Sequence, residues 1–198
     1  MQTSRIVLAA VLGGVTMFLW GALSHTVIPF SENALLGFTN DDAVVQTIMA
    51  NAPKSGVYFM PYVPQKQEGM TEEEFKAAQQ SAEDKMQQGP FMLAAVRLGE
   101  MGSFGSYLLI QLVTDILTAL LVCLVLMRVT GSLWNRVGTA ELVGLAGFAG
   151  LSLPQWNWYA FSGAFTLAEL FDVAVGFFLG GLVIAKILGR AQKEAVQT

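Results

Sequence analysis

The sequence predicts an all-α membrane protein, in which four transmembrane helices form an antiparallel bundle and a small α+β domain is inserted between helices 1 and 2. Three observations predict this fold class. Hydrophobic residues make up 54% of the 198 residues and charged residues only 13%, whereas roughly a quarter is charged in soluble domains. The apolar residues form four long runs. Most of the charged residues lie between the first run and the second.

The first predicted span covers residues 6–27, which carry no charge if His25 is neutral. At a rise of about 1.5 Å per residue, this run is long enough to cross a hydrocarbon core of about 30 Å. Arg5 and the small residues around Ser24 would also fit a cleaved signal peptide. The apolar run is longer than the ~7 to 15 residues usual in signal peptides, and this favours an uncleaved anchor.

Residues 29–102 are predicted to form a net acidic α+β domain outside the bilayer. Pro29 ends the first span, and the chain from there to Glu100 contains ten acidic and five basic residues. The patterns predict a short amphipathic helix over 41–50 and a strand over 56–63 that pairs with 91–96. Thr71 and Glu74 form the capping box of a polar helix that continues to about Gln88.

The remaining spans are predicted over 107–127, 138–158 and about 165–188. Since short links join them, consecutive helices are expected to be antiparallel neighbours. The predicted organisation is a first helix over 1–28, the acidic domain, a three-helix region over 103–190 and a cytoplasmic tail over 191–198. Basic residues near the span ends predict the orientation. Six of them fall on one side of the bilayer: Arg5, Arg128, Arg136, Lys186, Arg190 and Lys193.

Only Arg97 lies close to a span end on the other side. Because lysine and arginine are enriched in cytoplasmic loops, both termini are expected in the cytoplasm and residues 29–102 outside it. The expected location is the bacterial plasma (inner) membrane. The expected partners are the lipid bilayer and other membrane proteins or copies of the chain itself, and no basic patch indicates nucleic acid.

Small residues are predicted to bring helices into close contact. Gly13 and Gly14 each follow an alanine by four residues, a small-residue spacing that lets another helix approach. Glycines recur in the third and fourth spans as well. The predicted packing glycines are Gly13, Gly14, Gly144, Gly147, Gly150, Gly176 and Gly180.

Polar residues inside the predicted spans form a candidate intramembrane site. Inserting an acidic residue near the bilayer centre costs roughly 2.5 to 3.5 kcal/mol of free energy, so such a residue is expected to have a partner or a function. Glu169 and Asp172 are three residues apart on the face that carries Gly176 and Gly180, so they are expected to point into the bundle. Asp115 is expected at a similar depth. The candidate site consists of His25, Gln111, Asp115, Thr118, Glu169 and Asp172.

Three interpretations of these residues remain open. The polar groups could fix helix register through interhelical hydrogen bonds, handle protons or cations, or hold a metal with one imidazole and several carboxylates. No metal and no other cofactor is predicted, because His25 is the only histidine and stands alone. Metal or haem ligation at His25 stays open.

The favoured function is a non-catalytic accessory or structural membrane subunit that packs against partner membrane proteins. The sequence contains no catalytic triad, phosphate loop or dinucleotide fingerprint, so an enzyme is not expected. The faces at Gly13, Gly14 and 144–150 would contact the partners. The alternative is a proton- or cation-handling protein that uses Asp115, Glu169 and Asp172, and the second alternative is a metal-dependent membrane enzyme.

Overall fold

The computed structural model of the protein describes residues 2–28, 34–63 and 65–196, with side chains over 3–28, 34–63 and 65–189. Pro29, the predicted end of the first span, lies outside the described residues, as do the side chains of Arg190 and Lys193. The elements in chain order are α1 (Gln2–Val27), α2 (Asp41–Asn51), β1 (Gly56–Met60), α3 (Glu72–Gln88), β2 (Met92–Val96), α4 (Phe104–Leu126), α5 (Leu133–Trp158) and α6 (Gly163–Val196).

Four of these helices, α1, α4, α5 and α6, are long and apolar enough to cross a membrane. This confirms the four helices that the sequence predicts and indicates an integral membrane protein. The differences from the predicted bounds are largest at two helix ends. Helix α5 begins at Leu133 instead of residue 138, because Ser132 Oγ accepts a hydrogen bond from Asn135 N at 3.3 Å and caps the helix there. Helix α6 continues through the predicted tail to Val196.

The chain divides into two compact units. The first contains the four long helices apart from the last two residues of α5, and the second consists of Gly37–Met101 and Asn157–Ala160. In the first unit, α1 packs against both α4 and α6. Its buried core is built largely from small and medium side chains, which let the helices approach. The core residues are Ala9, Ala10, Met17, Ala119, Val122, Cys123, Leu126, Val137, Ala140, Ile184, Ala185 and Leu188.

Gly13 and Gly14 lie where α1 meets its two neighbours. A Cβ atom on Gly14 would lie 2.5 Å from Ile116 Cα and 2.7 Å from Ile116 N in α4. On Gly13 it would lie 2.6 Å from Ile184 Cγ1 in α6. Only glycine fits at such distances, so the face that the sequence offered to partner proteins is covered by helices of the same chain.

Gly176 and Gly180 line the face of α6 that packs on α1. A Cβ atom on Gly180 would lie 2.6 Å from Met17 Cε, and one on Gly176 would lie 3.4 Å from Trp20 Cδ1. The neighbouring helix therefore approaches Gly180 more closely than it approaches Gly176. Because Met17 ends in a flexible thioether, the contact at Gly180 can relax more easily than a contact with backbone.

The glycines of α5 divide into two groups. A Cβ atom on Gly144 would lie 2.5 Å from Phe177 Cγ in α6. By contrast, Cβ atoms on Gly147 and Gly150 would meet no neighbouring atom within 4 Å in the described part of the chain. The series that looks uniform in sequence thus contains one glycine covered by α6 and two that stay uncovered.

The second unit contains a two-stranded antiparallel sheet and two helices. Gly56 lies opposite Val96, and Met60 lies opposite Met92. Strand β1 ends at Met60 and not at residue 63, since the next residue, Pro61, has no backbone N–H to extend the ladder. The unit therefore contains the small sheet that the sequence predicts, with a shorter first strand.

Helix α3 begins at the predicted capping box. Thr71 Oγ1 accepts a hydrogen bond from Glu74 N at 3.2 Å, and Thr71 N donates one to Glu74 Oε2 at 2.9 Å. Hydrogen bonds from the Thr71 backbone and then from its hydroxyl hold the pKa of the Glu74 carboxyl below its ordinary value. The first turn of α3 is thus stabilised by a carboxylate, which also suits the positive end of the helix dipole.

Candidate functional site

A cavity of about 540 Å³ lies in the first unit, between the last turn of α1, the first turns of α6 and one residue of α5. We call it the His25 cavity. Its lining combines an imidazole, two carboxyl groups and two hydroxyl groups with an apolar remainder. The lining residues are Ser24, His25, Ala34, Leu35, Ser152, Phe165, Ala168, Glu169, Phe171, Asp172 and Val173.

The start of α6 places both carboxyl groups in this lining. Ser162 caps the helix, because its Oγ accepts a hydrogen bond from Phe165 N at 3.1 Å and its backbone oxygen accepts one from Thr166 N at 3.0 Å. From that start, Glu169 and Asp172 fall on one helix face, since residues three apart are neighbours on a helix surface. The shared face that the sequence predicts for the two acids therefore contributes to the cavity.

His25 lies beside Asp172. The distance from His25 Nδ1 to Asp172 Oδ2 is 3.9 Å, and the two side chains are 72% and 28% exposed. At this distance the groups attract each other electrostatically if His25 is protonated, but they are too far apart for a hydrogen bond. A movement of about 1 Å would bring them into hydrogen-bond range.

Ser24 orients the histidine ring. Its hydroxyl donates to the backbone oxygen of Gly21 at 3.2 Å and lies 3.2 Å from His25 Nδ1. Because the single hydroxyl hydrogen is used by Gly21, we assign the hydrogen of the second bond to Nδ1 of His25. The Nδ1–H group then lies near both the Ser24 hydroxyl and the Asp172 carboxyl group.

Trp20 fixes the position of Asp172 relative to α1. Its Nε1–H donates a hydrogen bond to the backbone oxygen of Asp172 at 3.1 Å. The Trp20 ring also meets the Phe171 ring edge-on, with ring centroids 5.8 Å apart. These contacts join α1 to α6 at Phe171 and Asp172, two residues that line the cavity. The helices that carry His25 and Asp172 are therefore in direct contact.

One oxygen of Asp172 lacks a partner. Oδ1 is buried and accepts no hydrogen bond from any residue that the structure describes. A buried acceptor without a donor costs roughly 1 to 3 kcal/mol, and more if it is charged. A proton on Asp172 would lower this cost, because it removes the negative charge.

Asp115 belongs to a neighbouring group on α4. Gln111 Nε2 donates a hydrogen bond to Asp115 Oδ1 at 3.0 Å. Asp115 is close enough to interact electrostatically with Asp172, but the described lining of the cavity does not include it. Thr118 lies one turn below on α4 and is half-buried. The structure thus joins His25, Glu169 and Asp172 in one cavity, whose described lining includes none of the three α4 residues.

Several residues of this site are not distinguished by the sequence pattern. Ser24 and Ser152 are ordinary small polar residues in apolar runs, and Trp20 resembles an ordinary interfacial aromatic residue. The spacing of Trp20 and Ser24 could have indicated that both lie on one side of α1, because residues four apart share a helix face. No such signal identifies Phe165 and Phe171 as cavity residues, because apolar residues in α6 can face lipid, protein or a cavity.

The described side chains include no group of three or more histidine, cysteine, aspartate and glutamate residues that could hold a metal ion. Comparison of the chain with protein-family models, curated proteins and solved structures found no match. The chemistry of the His25 cavity depends on its own side chains. It offers acidic oxygens, a titratable imidazole and an apolar surface in one space.

Proposed function

We propose that the protein is an integral membrane protein that binds a cation or exchanges protons in the His25 cavity. The observation that carries this proposal is the buried Oδ1 of Asp172, which has no hydrogen-bond partner among the described residues. Asp172 itself lines a cavity together with Glu169 and His25. Since a lone carboxylate oxygen is costly in a nonpolar environment, occupation by a proton or a cation would stabilise this arrangement.

The proposal includes a topology. The four long helices form an antiparallel bundle across a bacterial plasma membrane, with both termini in the cytoplasm and residues 29–102 outside. The distribution of lysine and arginine supports this orientation. In it, the end of α1 and the start of α6 lie at the outer surface, so the His25 cavity exchanges protons or cations with the external medium.

His25 acts as the first acceptor in the proposed proton exchange. Its side chain is more exposed than that of Asp172, and the two polar atoms are 3.9 Å apart. Nε2 of the imidazole takes up a proton from the external medium, and the proton on Nδ1 passes to Asp172 after the small approach described above. Glu169, on the same face of α6, supplies the second carboxyl group for a bound cation.

Asp172→Asn is expected to weaken cation binding in the cavity roughly tenfold or more and to stop proton exchange through residue 172, while the protein keeps its fold. The amide has nearly the same shape as the carboxyl group but has no negative charge and cannot take up the proton. Calorimetric titration of the purified protein with sodium and potassium measures cation binding. Repeating the titration in buffers of different ionisation heat measures the protons taken up or released. Asp84→Asn makes the same change at an exposed position of α3 and should leave both measurements unaltered. Unchanged binding in Asp172→Asn would refute the proposal.

A second candidate function is the non-catalytic subunit, with α5 as the contact helix. The observation that favours it is the uncovered pair Gly147 and Gly150, at which another helix could approach closely. The pair Gly13 and Gly14 is not available for this purpose, since α4 and α6 cover it.

For this candidate, Gly147→Leu is expected to prevent association of the protein with its partner or with a second copy. Gly138→Leu is the matched control, because Gly138 is also uncovered and lies nine residues away, on the opposite face of α5. Mass measurement of the complex, purified from its own membrane in mild detergent, tests both variants. A wild-type protein that is a lone monomer, or equal effects of the two leucines, would contradict this function.

A further inference from the structure

We propose that the ligand of the His25 cavity is a small organic ammonium ion that carries an apolar group, such as a primary alkylamine. This inference rests on the proposed binding of a cation in the cavity and names the chemical class of that cation. Three features of the cavity lead to it: its size, the balance of charges in its lining, and the apolar residues that line it together with the acids.

The cavity is too large for an inorganic cation alone. Its volume of about 540 Å³ compares with roughly 30 Å³ for one water molecule in the liquid. It falls within the range of roughly 300 to 1,000 Å³ that is usual for sites of small organic ligands. A bare sodium ion or a proton would leave most of this space to water, next to side chains that gain nothing from contact with water.

The charges in the lining select a cation with hydrogen-bond donors. Glu169 and Asp172 contribute two carboxyl groups, His25 contributes one imidazole, and the described lining contains no lysine or arginine. An ammonium group has up to three N–H donors, enough to serve the two carboxyl groups of the lining. The described side chains also lack a set of three metal-ligating groups, so an ammonium ion fits these donors and acceptors better than a transition metal.

The remaining lining provides a place for the apolar group. Phe165, Phe171 and Val173 lie in the same cavity as the two acids. Phe171 is held by edge-on contact with Trp20, and Phe165 contacts the Phe161 ring with centroids 5.2 Å apart. The apolar wall is therefore anchored, and aromatic rings near an ammonium group add a cation–π attraction.

Two sources could supply such an ammonium group, a free amine or the headgroup of an ethanolamine lipid. The headgroup would bring its phosphate close to Glu169 and Asp172. The described lining offers that phosphate no lysine or arginine, and the carboxylates would repel it. These charges favour the free amine.

The test uses the full-length protein in phosphatidylcholine nanodiscs, whose headgroups have no N–H donor. Calorimetry at neutral pH compares methylammonium, butylammonium, hexylammonium, hexanoate and sodium, with empty nanodiscs as the blank for partition into lipid. Hexylammonium is expected to bind roughly tenfold or more tightly than methylammonium, because each buried methylene group adds apolar contact. Hexanoate is expected not to bind.

Three variants locate the binding in the cavity. Asp172→Asn and Glu169→Gln are each expected to weaken hexylammonium binding roughly tenfold or more, since each removes a charge next to the ammonium group. Asp84→Asn should bind like the wild type. Gel filtration and circular dichroism establish that each variant is folded, and the ligand series on the wild type tests the proposal independently of any variant.

The outcomes separate this inference from the proposed function. Equal affinity for methylammonium and hexylammonium, or binding of hexanoate, would overturn the organic ammonium ligand. If sodium or proton binding then still depends on Asp172, the proposed function stands without it, and if no cation binds, both fail. Nanodiscs that contain phosphatidylethanolamine should not compete with hexylammonium. Competition would mean that the cavity does bind an ammonium group but that the group belongs to the lipid headgroup.

Discussion

Gly14→Ala is expected to destabilise the packing of α1 against α4 by about 1 to 3 kcal/mol, the usual cost of an overpacked contact. The added methyl group would lie 2.5 Å from Ile116 Cα and 2.7 Å from Ile116 N. These are backbone atoms of a hydrogen-bonded helix, so they cannot rotate away as a side chain can. The two helices would have to separate, and contacts along their whole interface would weaken.

Thermal unfolding of the purified protein in a single detergent measures this effect. Gly147→Ala is the matched control, because its methyl group meets no described neighbour and alanine favours the helix by about 1 kcal/mol. Gly180→Ala should fall between the two, since its contact is with the flexible end of Met17. A Gly14→Ala protein as stable as Gly147→Ala would show that the close approach of α1 and α4 is absent.

Ile184→Ala is expected to cost about 2 to 5 kcal/mol, the usual range for deletion of a large buried aliphatic side chain. Ile184 is 0% exposed and fills the space next to Gly13 of α1. Its removal leaves a cavity where α1 and α6 meet. Ile110→Ala, which makes the same change at a side chain that is 61% exposed, should cost much less.

The contact between Gly13 and Ile184 can be tested further with a double-mutant cycle. Alone, Gly13→Ala places a methyl group 2.6 Å from Ile184 Cγ1 and is expected to destabilise the protein. In the Ile184→Ala background the same methyl group enters the space that the isoleucine left. The double variant should therefore be more stable than the sum of the single effects predicts. Additive effects, measured by the same unfolding experiment, would contradict this contact.

Local features of the fold were predictable because the residues that make them are close in sequence. The capping box of Thr71 and Glu74 lies within a single turn, and its hydrogen bonds are formed as expected. The end of β1 was harder to predict, because a strand ends where its partner stops pairing. Met60 pairs with Met92, the first residue of β2, and the following Pro61 cannot extend the ladder. The capping residue Ser132, after which α5 begins at Leu133, was a local signal that the apolar pattern concealed.

In the candidate site, too, some features were predictable from the spacing of residues and others depended on neighbouring helices. The spacing of Glu169 and Asp172 already puts them on one face with Gly176 and Gly180. Helical rise also puts Asp115 at a similar depth, but depth does not state which way a side chain points around the helix axis. The structure assigns Asp115 to Gln111 on α4 and places His25 beside Asp172. Sequence alone therefore grouped the acids by depth and could not separate those that line the cavity from those that do not.

By itself, the sequence determined the four long apolar helices, the small paired strands and the shared face of the two acids, because periodicity and local capping depend on neighbours along the chain. The tertiary structure alone decided which glycine faces are covered. Gly14 meets the backbone of α4, whereas Gly147 meets no described atom within 4 Å. Glycine has the same sequence signature in both places, and only the position of the neighbouring helix distinguishes them. For the same reason, only the structure brings His25 next to Asp172.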